Sequence, residues 1–370
     1  MTTQQLINAM LHDFWESGDY SVGDKLPTGR ELTQRYQVSC STLSKAMELL
    51  AGEGRLTKQR GRGIHIASLS NKPQLAGQKQ QRHIGFVVGN LENTLPYEIF
   101  KGIDYVGREQ NCFFEVANNT ENILQERRQI RQMMERGAQG IVLYPAVKRP
   151  PNEEYLATGF RDLPIVVVDL YDAAMNRPHV IFDNWSAGRE MTRHLLKLGR
   201  REIAFVKFDN AIPYRSLDDR LAGYKRALDE FKIPHDPART FAIPIEMTGK
   251  KNHAMAAAAA VDRLLELQPQ PDAIIMPTDH YARACIEYLR QKGVAVPGEI
   301  TVVGFDNLQK EGWDEKFSTT SPDFEMMGER AAQMLLERIE SRNTDPTGLI
   351  LPCPLIVPKD IPPTPQHANQ

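Results

Sequence analysis

At 370 residues the chain is too long for one ordinary domain and has room for two or three. Hydrophobic residues make up 41% and charged residues 25%, the balance of a globular protein with a packed core rather than of a disordered or fibrous chain. A net charge of −2 excludes a polycation, so any contact with nucleic acid has to come from a local basic patch.

The cysteines Cys40, Cys112, Cys285 and Cys353 stand far apart with no CxxC pair, as expected of reduced thiols in a cytoplasmic protein. The opening MTTQQLINAM lacks the basic and apolar regions of a secretory signal, and no stretch approaches about 18 uninterrupted apolar residues. Neither export nor a membrane span is expected.

In chain order, Gln4–Trp15 sets Leu6, Ile7, Met10, Leu11 and Phe14 on one helical face. In GDKLPTGRELTQRYQV, Thr28 and Glu31 stand three apart as a capping box. They start a second helix with Leu32 and Tyr36 as its buried i,i+4 pair. A third helix is expected from Ser39, with Leu43, Ala46, Met47 and Leu50 turned inward. Ser39, Cys40, Ser41, Thr42 and Lys45 fall on the outer face of its first turns, where small polar donors and the helix dipole suit close approach to a phosphate. Leu56–Gln59 and Ile64–Ala67 then read as a hairpin. Its tip, Arg60-Gly61-Arg62-Gly63, offers two guanidinium groups to a narrow minor groove. A helical protein–protein module with a basic hairpin would show the same spacing.

The run GDKLPTGRELTQRYQVSCSTLSKAMELLAGEGRLTKQRGRGIHIA also resembles the GntR-type winged helix-turn-helix, in its LPT-x-REL segment, its VS-x-x-T turn, its EG step and its glycine-bracketed wing. The likeness covers residues 1–68 and implies a double-stranded DNA partner. It implies that Arg30 contacts phosphate and base, that Thr42 is a polar contact of the recognition helix, and that Arg60 and Gly61 form the wing tip. Where members of the family often carry arginine this chain has Cys40, and where they carry Arg or Lys it has Ser44, so its operator sequence is its own.

Residues 69–82 are polar and lack aromatics, a linker. From His83, short Val/Ile-rich runs (IGFVVGN, FFEVAN, GIVLYPA, PIVVVDL, VIFDN, EIAFVKF, AIIMPTD, ITVVGFD) alternate with helical patterns such as Leu124–Arg136, Trp185–Leu198, Leu217–Phe231 and Ala254–Leu267. Runs apolar on both faces are strands of a parallel sheet covered by helices, so the expected fold class is α/β, doubly wound, with length for two sheets. The proline-rich, polar residues 358–370 are expected to be disordered. In open α/β sheets ligands sit beyond the carboxyl ends of the strands, where Asp169, Asn184, Asp279 and Asp306 fall. Such residues equally serve as helix caps or turn formers, Asp279 above all because a helix follows it.

The stretches REIAFVKFDN, SLDDRLAGYKRALDEFKI, IFDNWSAG with HLLKLGRREIAF, and most specifically VPGEITVVGFDN, resemble the effector domain of LacI-type regulators, which shares its fold with periplasmic sugar-binding proteins. The likeness runs over residues 83–357. It implies one lobe of residues 83–183 plus 320–357, a second of 184–319, and a ligand between them. It implies Arg220 and Asp306 as bidentate partners of vicinal hydroxyls and Phe182 and Phe324 as walls. Asp169, Asn184, Ser216 and Asp279 rank second among the implied contacts. Tyr97 belongs with Leu95-Pro96-Tyr97, where some members have an aromatic pair, and Thr278 stands where many sugar-binding members have asparagine.

A DNA reader fused to such a sensor, as in arabinose-repressor-like regulators, makes the expected function a ligand-responsive repressor. It acts as a homodimer on a palindromic operator and is released by a sugar or sugar derivative. A corepressor-type regulator with a purine-like ligand is the alternative. A solute receptor without DNA affinity would need a secretion signal, and a fusion to an aminotransferase-like domain dependent on pyridoxal phosphate would need a Schiff-base lysine at a strand end. No GxSxG elbow, HExxH, Walker A loop or metal-spaced Cys/His cluster occurs, so no catalytic residue, metal or cofactor is expected.

Overall fold

The computed structural model describes residues 1–59, 63–68, 81–89, 94–120, 122–146, 159–160, 162–171, 173–209, 215–244, 247, 252–308, 313, 316–341 and 345–358. Its contacts divide the chain into two units, Met1–Gln81 and Arg82–Gln370. The wing tip expected at Arg60, Gly61 and Arg62, most of the linker and most of the C-terminal tail lie outside the described residues.

In the first unit, helix α1 (Thr3–Leu11) is capped by Thr2 and Gln5 in a reciprocal box and runs into one π-helical turn, His12–Glu16. Helix α2 (Gly29–Tyr36) starts at the expected box. Glu31 N–H donates to Thr28 Oγ1 at 3.4 Å, and Thr28 N–H donates to Glu31 Oε2 at 2.7 Å. Gln37 turns the chain in the left-handed region, at φ 51°, and Ser39 then caps helix α3 (Cys40–Gly52) by accepting from Thr42 N–H. Leu6, Met10, Phe14, Leu32, Ala46, Leu50 and Ile66 form a buried core among these helices. Strands β1 (Leu56–Gln59) and β2 (Gly63–Ile66) pair antiparallel with Leu56 opposite Ile66, and Lys25 bridges to His65 on the outer side of the hairpin.

The second unit contains two parallel sheets. The first has strands β3 (Arg82–Val88), β4 (Cys112–Asn118), β5 (Gly140–Leu143), β6 (Ile165–Val168) and β7 (His179–Phe182), and is completed by β13 (Gly348–Leu351) in the order β13-β7-β6-β5-β3-β4. The second has β8 (Ile203–Phe208), β9 (Thr240–Ile243), β10 (Ala273–Ile275) and β11 (Thr301–Val303) in the order β11-β10-β8-β9. Helices α4 (Thr94–Glu109), α5 (Ile123–Glu135) and α10 (Phe324–Ser341) serve the first sheet, and α6 (Asn184–Lys197), α7 (Arg215–Glu230), α8 (His253–Leu265) and α9 (Asp279–Gln291) the second. The chain leaves the first sheet after Phe182, builds the second, and returns through β12 (Thr319–Thr320), which pairs antiparallel with β14 (Leu355–Ile356). Cys353, between β13 and β14, packs against the cores of both lobes.

Two helix pairs close on glycine. A Cβ at Gly188 of α6 would fall on the Arg220 carbonyl of α7, and one at Gly223 on the Trp185 carbonyl; Gly102 and Gly328 play the same part between α4 and α10. The strands at the heart of each sheet are shorter than their apolar runs. Residues 144–146, 276–278 and 304–306 lie beyond the strands proper, as loops at the carboxyl edges where the candidate ligand residues cluster.

Candidate effector cleft and DNA-facing surface

On the first unit, Arg30 lies exposed in the first turn of α2, and Ser39, Cys40, Ser41 and Lys45 lie exposed at the start of α3. The hydroxyls share bonds: Ser39 Oγ is 2.9 Å from Ser41 Oγ and 2.8 Å from Thr42 Oγ1. This end of α3 therefore shows small hydroxyls and an ammonium, and the helix dipole adds positive potential where a phosphate would approach.

On the second unit, a cavity of about 540 Å³ is lined from the first lobe by Thr94, Leu95, Glu98 and Phe324 and from the second by Asp306, Asn307 and Leu308. Its size is that of an ordinary small-molecule site. Behind Asp306, away from the cavity itself, Arg220, held by α7, organises the acids. Its Nη2 donates to Asp306 Oδ1 at 3.0 Å, its Nε to Asn184 Oδ1 at 2.7 Å and its Nη1 to the Pro277 carbonyl at 3.1 Å. The guanidinium also lies 4.2 Å above the Phe305 ring. A buried cation bonded on three sides keeps one orientation, so Arg220 holds Asp306 at the cavity wall in a fixed pose.

Asp306 and Asn307 have φ of 86° and 49°, and Asp169 has 61°, left-handed conformations that Asp and Asn tolerate better than most residues. Asp169 accepts from the Tyr144 hydroxyl at 3.0 Å. Desolvation, reinforced by the Asp306 charge, pushes its carboxyl up to about 6. Asp279 is fully buried, and here the expectation of a helix cap is corrected. Thr278 is the cap residue of α9, while the Asp279 carboxyl accepts from Thr319 Oγ1 at 2.7 Å and from Leu308 N–H at 2.8 Å. Burial first, and the nearby Asp306 charge in addition, push Asp279 up to about 8. Asp279 thus ties the returning β12 and the loop after β11 to α9, one step behind the cavity wall.

The structure therefore brings Arg220, Asp306, Asn184, Asp169 and Asp279 together, with Phe324 on the wall and Phe182 edge-on behind it at 5.1 Å between ring centres. Tyr97 is more than half exposed on α4 with its ring 6.0 Å from Lys101 Nζ, and Ser216 sits on α7; of the expected ligand residues only Asp306 and Phe324 are among the described residues lining the cavity. Tyr214 lies outside the described residues. Sequence reasoning overlooked Glu98, Asn307, Asp323 and Tyr144, whose places depend on which loops the two sheets bring face to face. It also overlooked Cys353, whose half-buried thiol is pushed up by desolvation and lies close enough to feel Arg220 and Asp306.

Comparison with known proteins agrees with both halves. Residues 3–66 match the model of the bacterial regulatory proteins of the gntR family, and residues 192–360 match the periplasmic binding protein-like domain. The chain is thus a DNA-binding transcription regulator that joins a GntR-type winged helix to a periplasmic-binding-protein-like body of LacI type. Among its relatives is the arabinose metabolism transcriptional repressor of Geobacillus stearothermophilus, 27% identical over 346 residues, which are 92% of each chain. The transcription regulator GntR of Chromobacterium violaceum is 26% identical, with a TM-score of 0.61 over 75% of this chain and 98% of that one. A LacI family regulator of Enterococcus faecium, solved with bound ribose, has the same fold at 23% identity and a TM-score of 0.61 over 74% of this chain and 97% of that one.

Proposed function

We propose that this protein is a cytoplasmic repressor that binds a palindromic operator as a homodimer and is released when a sugar or sugar derivative occupies the cleft between its lobes. The carrying observation is Asp306, which lines a cavity shared by both lobes and is held from behind by the buried Arg220 and Asn184, in a chain that also carries a winged helix. A guanidinium and a carboxylate in fixed register suit adjacent hydroxyls, and the related Enterococcus faecium regulator was solved with ribose. In this reading Arg30, Ser39, Cys40, Ser41, Thr42 and Lys45, with the wing residues Arg60, Gly61 and Arg62, face DNA. Arg220, Asp306, Asn184, Asp169 and Phe324 face or support the ligand, and Asp279 and Phe182 hold them in place. The protein acts by binding rather than by catalysis.

The test is an electrophoretic shift of the protein's own upstream DNA together with a thermal-denaturation screen of sugars. Specific retardation is expected, lost on Arg30→Ala. One sugar is expected to stabilise the protein, an effect lost on Asp306→Ala. Retardation indifferent to Arg30→Ala removes the DNA assignment, and stabilisation that survives Asp306→Ala moves the ligand elsewhere.

A further inference from the structure

The charge of the cleft narrows the ligand, on the reading of that cleft as the effector site. The fifteen described residues lining it include four carboxylates, Glu98, Asp306, Asp323 and Glu325, and no lysine, arginine or histidine. The cations bonded to these acids are already committed. Arg220 is bonded to Asp306, Asn184 and Pro277, and Lys101 sits 2.5 Å from Glu98 and 2.9 Å from Glu325.

The N-terminus of α10 forms part of the same wall, and a helix start of that kind ordinarily welcomes an anion. Here the place is taken, because Asp323 Oδ1 accepts from Met326 N–H at 2.8 Å. A phosphate or carboxylate entering this space meets like charge with no guanidinium among the described lining residues to receive it. Hydroxyl groups meet the opposite situation. Carboxylates are pure acceptors for their protons, and Asn307 with Ser321, bonded to each other at 3.1 Å, offer neutral polar atoms alongside. Phe324 and Leu95 supply the apolar surface for the carbon face of a ring.

We infer that the cleft selects an uncharged polyhydroxylated ligand, a neutral mono- or disaccharide or polyol, over its phosphorylated or carboxylated congeners. Calorimetric titration of the full-length protein at neutral pH tests this with D-ribose, L-arabinose, D-xylose, D-glucose, D-galactose and cellobiose against D-ribose 5-phosphate, D-glucose 6-phosphate and D-glucuronate. At least one neutral sugar is expected to bind, with its anionic counterpart weaker by about tenfold or more. Glu325→Gln, which removes a rim charge while leaving Lys101 its Glu98 partner, is expected to narrow that gap. An anionic congener that binds as tightly as the neutral sugar overturns the inference and leaves the effector site standing. A gap unchanged in Glu325→Gln overturns charge as its cause. If no sugar of either kind binds, the sugar reading of the cleft falls, and this inference with it.

Discussion

Arg220 has its bonding capacity filled by the protein's own groups. Its guanidinium is more than nine-tenths buried and shared among a carboxylate, an amide and a backbone carbonyl, so its charge is spent on orienting Asp306 rather than on capturing an anion. Removing one member of such a buried pair costs about 3–5 kcal/mol, mostly through the charge left behind. Around it the acids titrate unusually, and Asp279 gives the sharper handle. Its folded carboxyl titrates near 8 instead of in the ordinary carboxylate range, so the folded state keeps a proton that the unfolded chain releases above about pH 4. Stability from this group is complete below the unfolded value and declines as pH rises from there through about 8; Asp169, titrating near 6, adds to the decline over its lower part. Asp279→Asn keeps an acceptor for Leu308 N–H and has no proton to lose. Denaturation midpoints measured between pH 5 and 9 are therefore expected to fall less with pH in the variant than in the parent. Equal slopes would mean that Asp279 is ionised in the fold.

At the scale of elements, the site is held by how closely helices approach. α6 and α7 touch through Gly188 and Gly223, each where a side chain would meet the other helix's backbone, and the atom facing Gly188 is the carbonyl of Arg220 itself. Gly188→Ala forces the helices apart. Overpacking of this kind costs about 1–3 kcal/mol, and the displacement falls on the residue that aims Asp306. The expected result is a lowered melting temperature together with weakened sugar binding, both read from one set of thermal-shift titrations. A variant that loses stability but keeps its affinity would show that the cleft absorbs the movement. Elements of this sort were partly legible in the sequence. The Thr28/Glu31 box and the Ser39 cap marked α2 and α3 because caps are local, and the Val/Ile runs marked the central strands because those are buried on both faces. The edges were harder. β9 alternates only weakly, and β13 gains its meaning from pairing with β7 across more than 160 residues, a contact no local pattern records. For the same reason Asp306 and Arg220 could be named from a motif, whereas Glu98 and Asp323 became visible only when the start of α4 and the loops at the sheet edges met.

For the whole molecule, regulation is a coupling free energy between the cleft and the DNA-facing helix, and coupling is reciprocal. If the cognate sugar weakens operator binding, the operator must weaken sugar binding by the same factor, whatever the path between the two units. Couplings of this kind run at about 1–3 kcal/mol, or about 5–150-fold. On the proposed reading, the returning segment is where that coupling acts within the second unit. Asp279 holds Thr319 of β12, β12 pairs with β14, and Asp306, which lines the cavity, lies in the loop that leads from β11 back to β12. A ligand that bonds Asp306 therefore acts on the connection by which the chain passes between its lobes. Calorimetric titration of the stabilising sugar into free protein and into protein saturated with operator duplex is expected to give dissociation constants that differ by the factor by which the sugar shifts operator affinity in a gel. Thr319→Val, which removes the bond to Asp279 and the longer one from Asn307 N–H while keeping the side chain's shape, is expected to shrink that factor and to change sugar affinity less. Identical constants with and without DNA would mean that the cleft and the winged helix work independently, and release by a sugar would have to be abandoned as the mode of control.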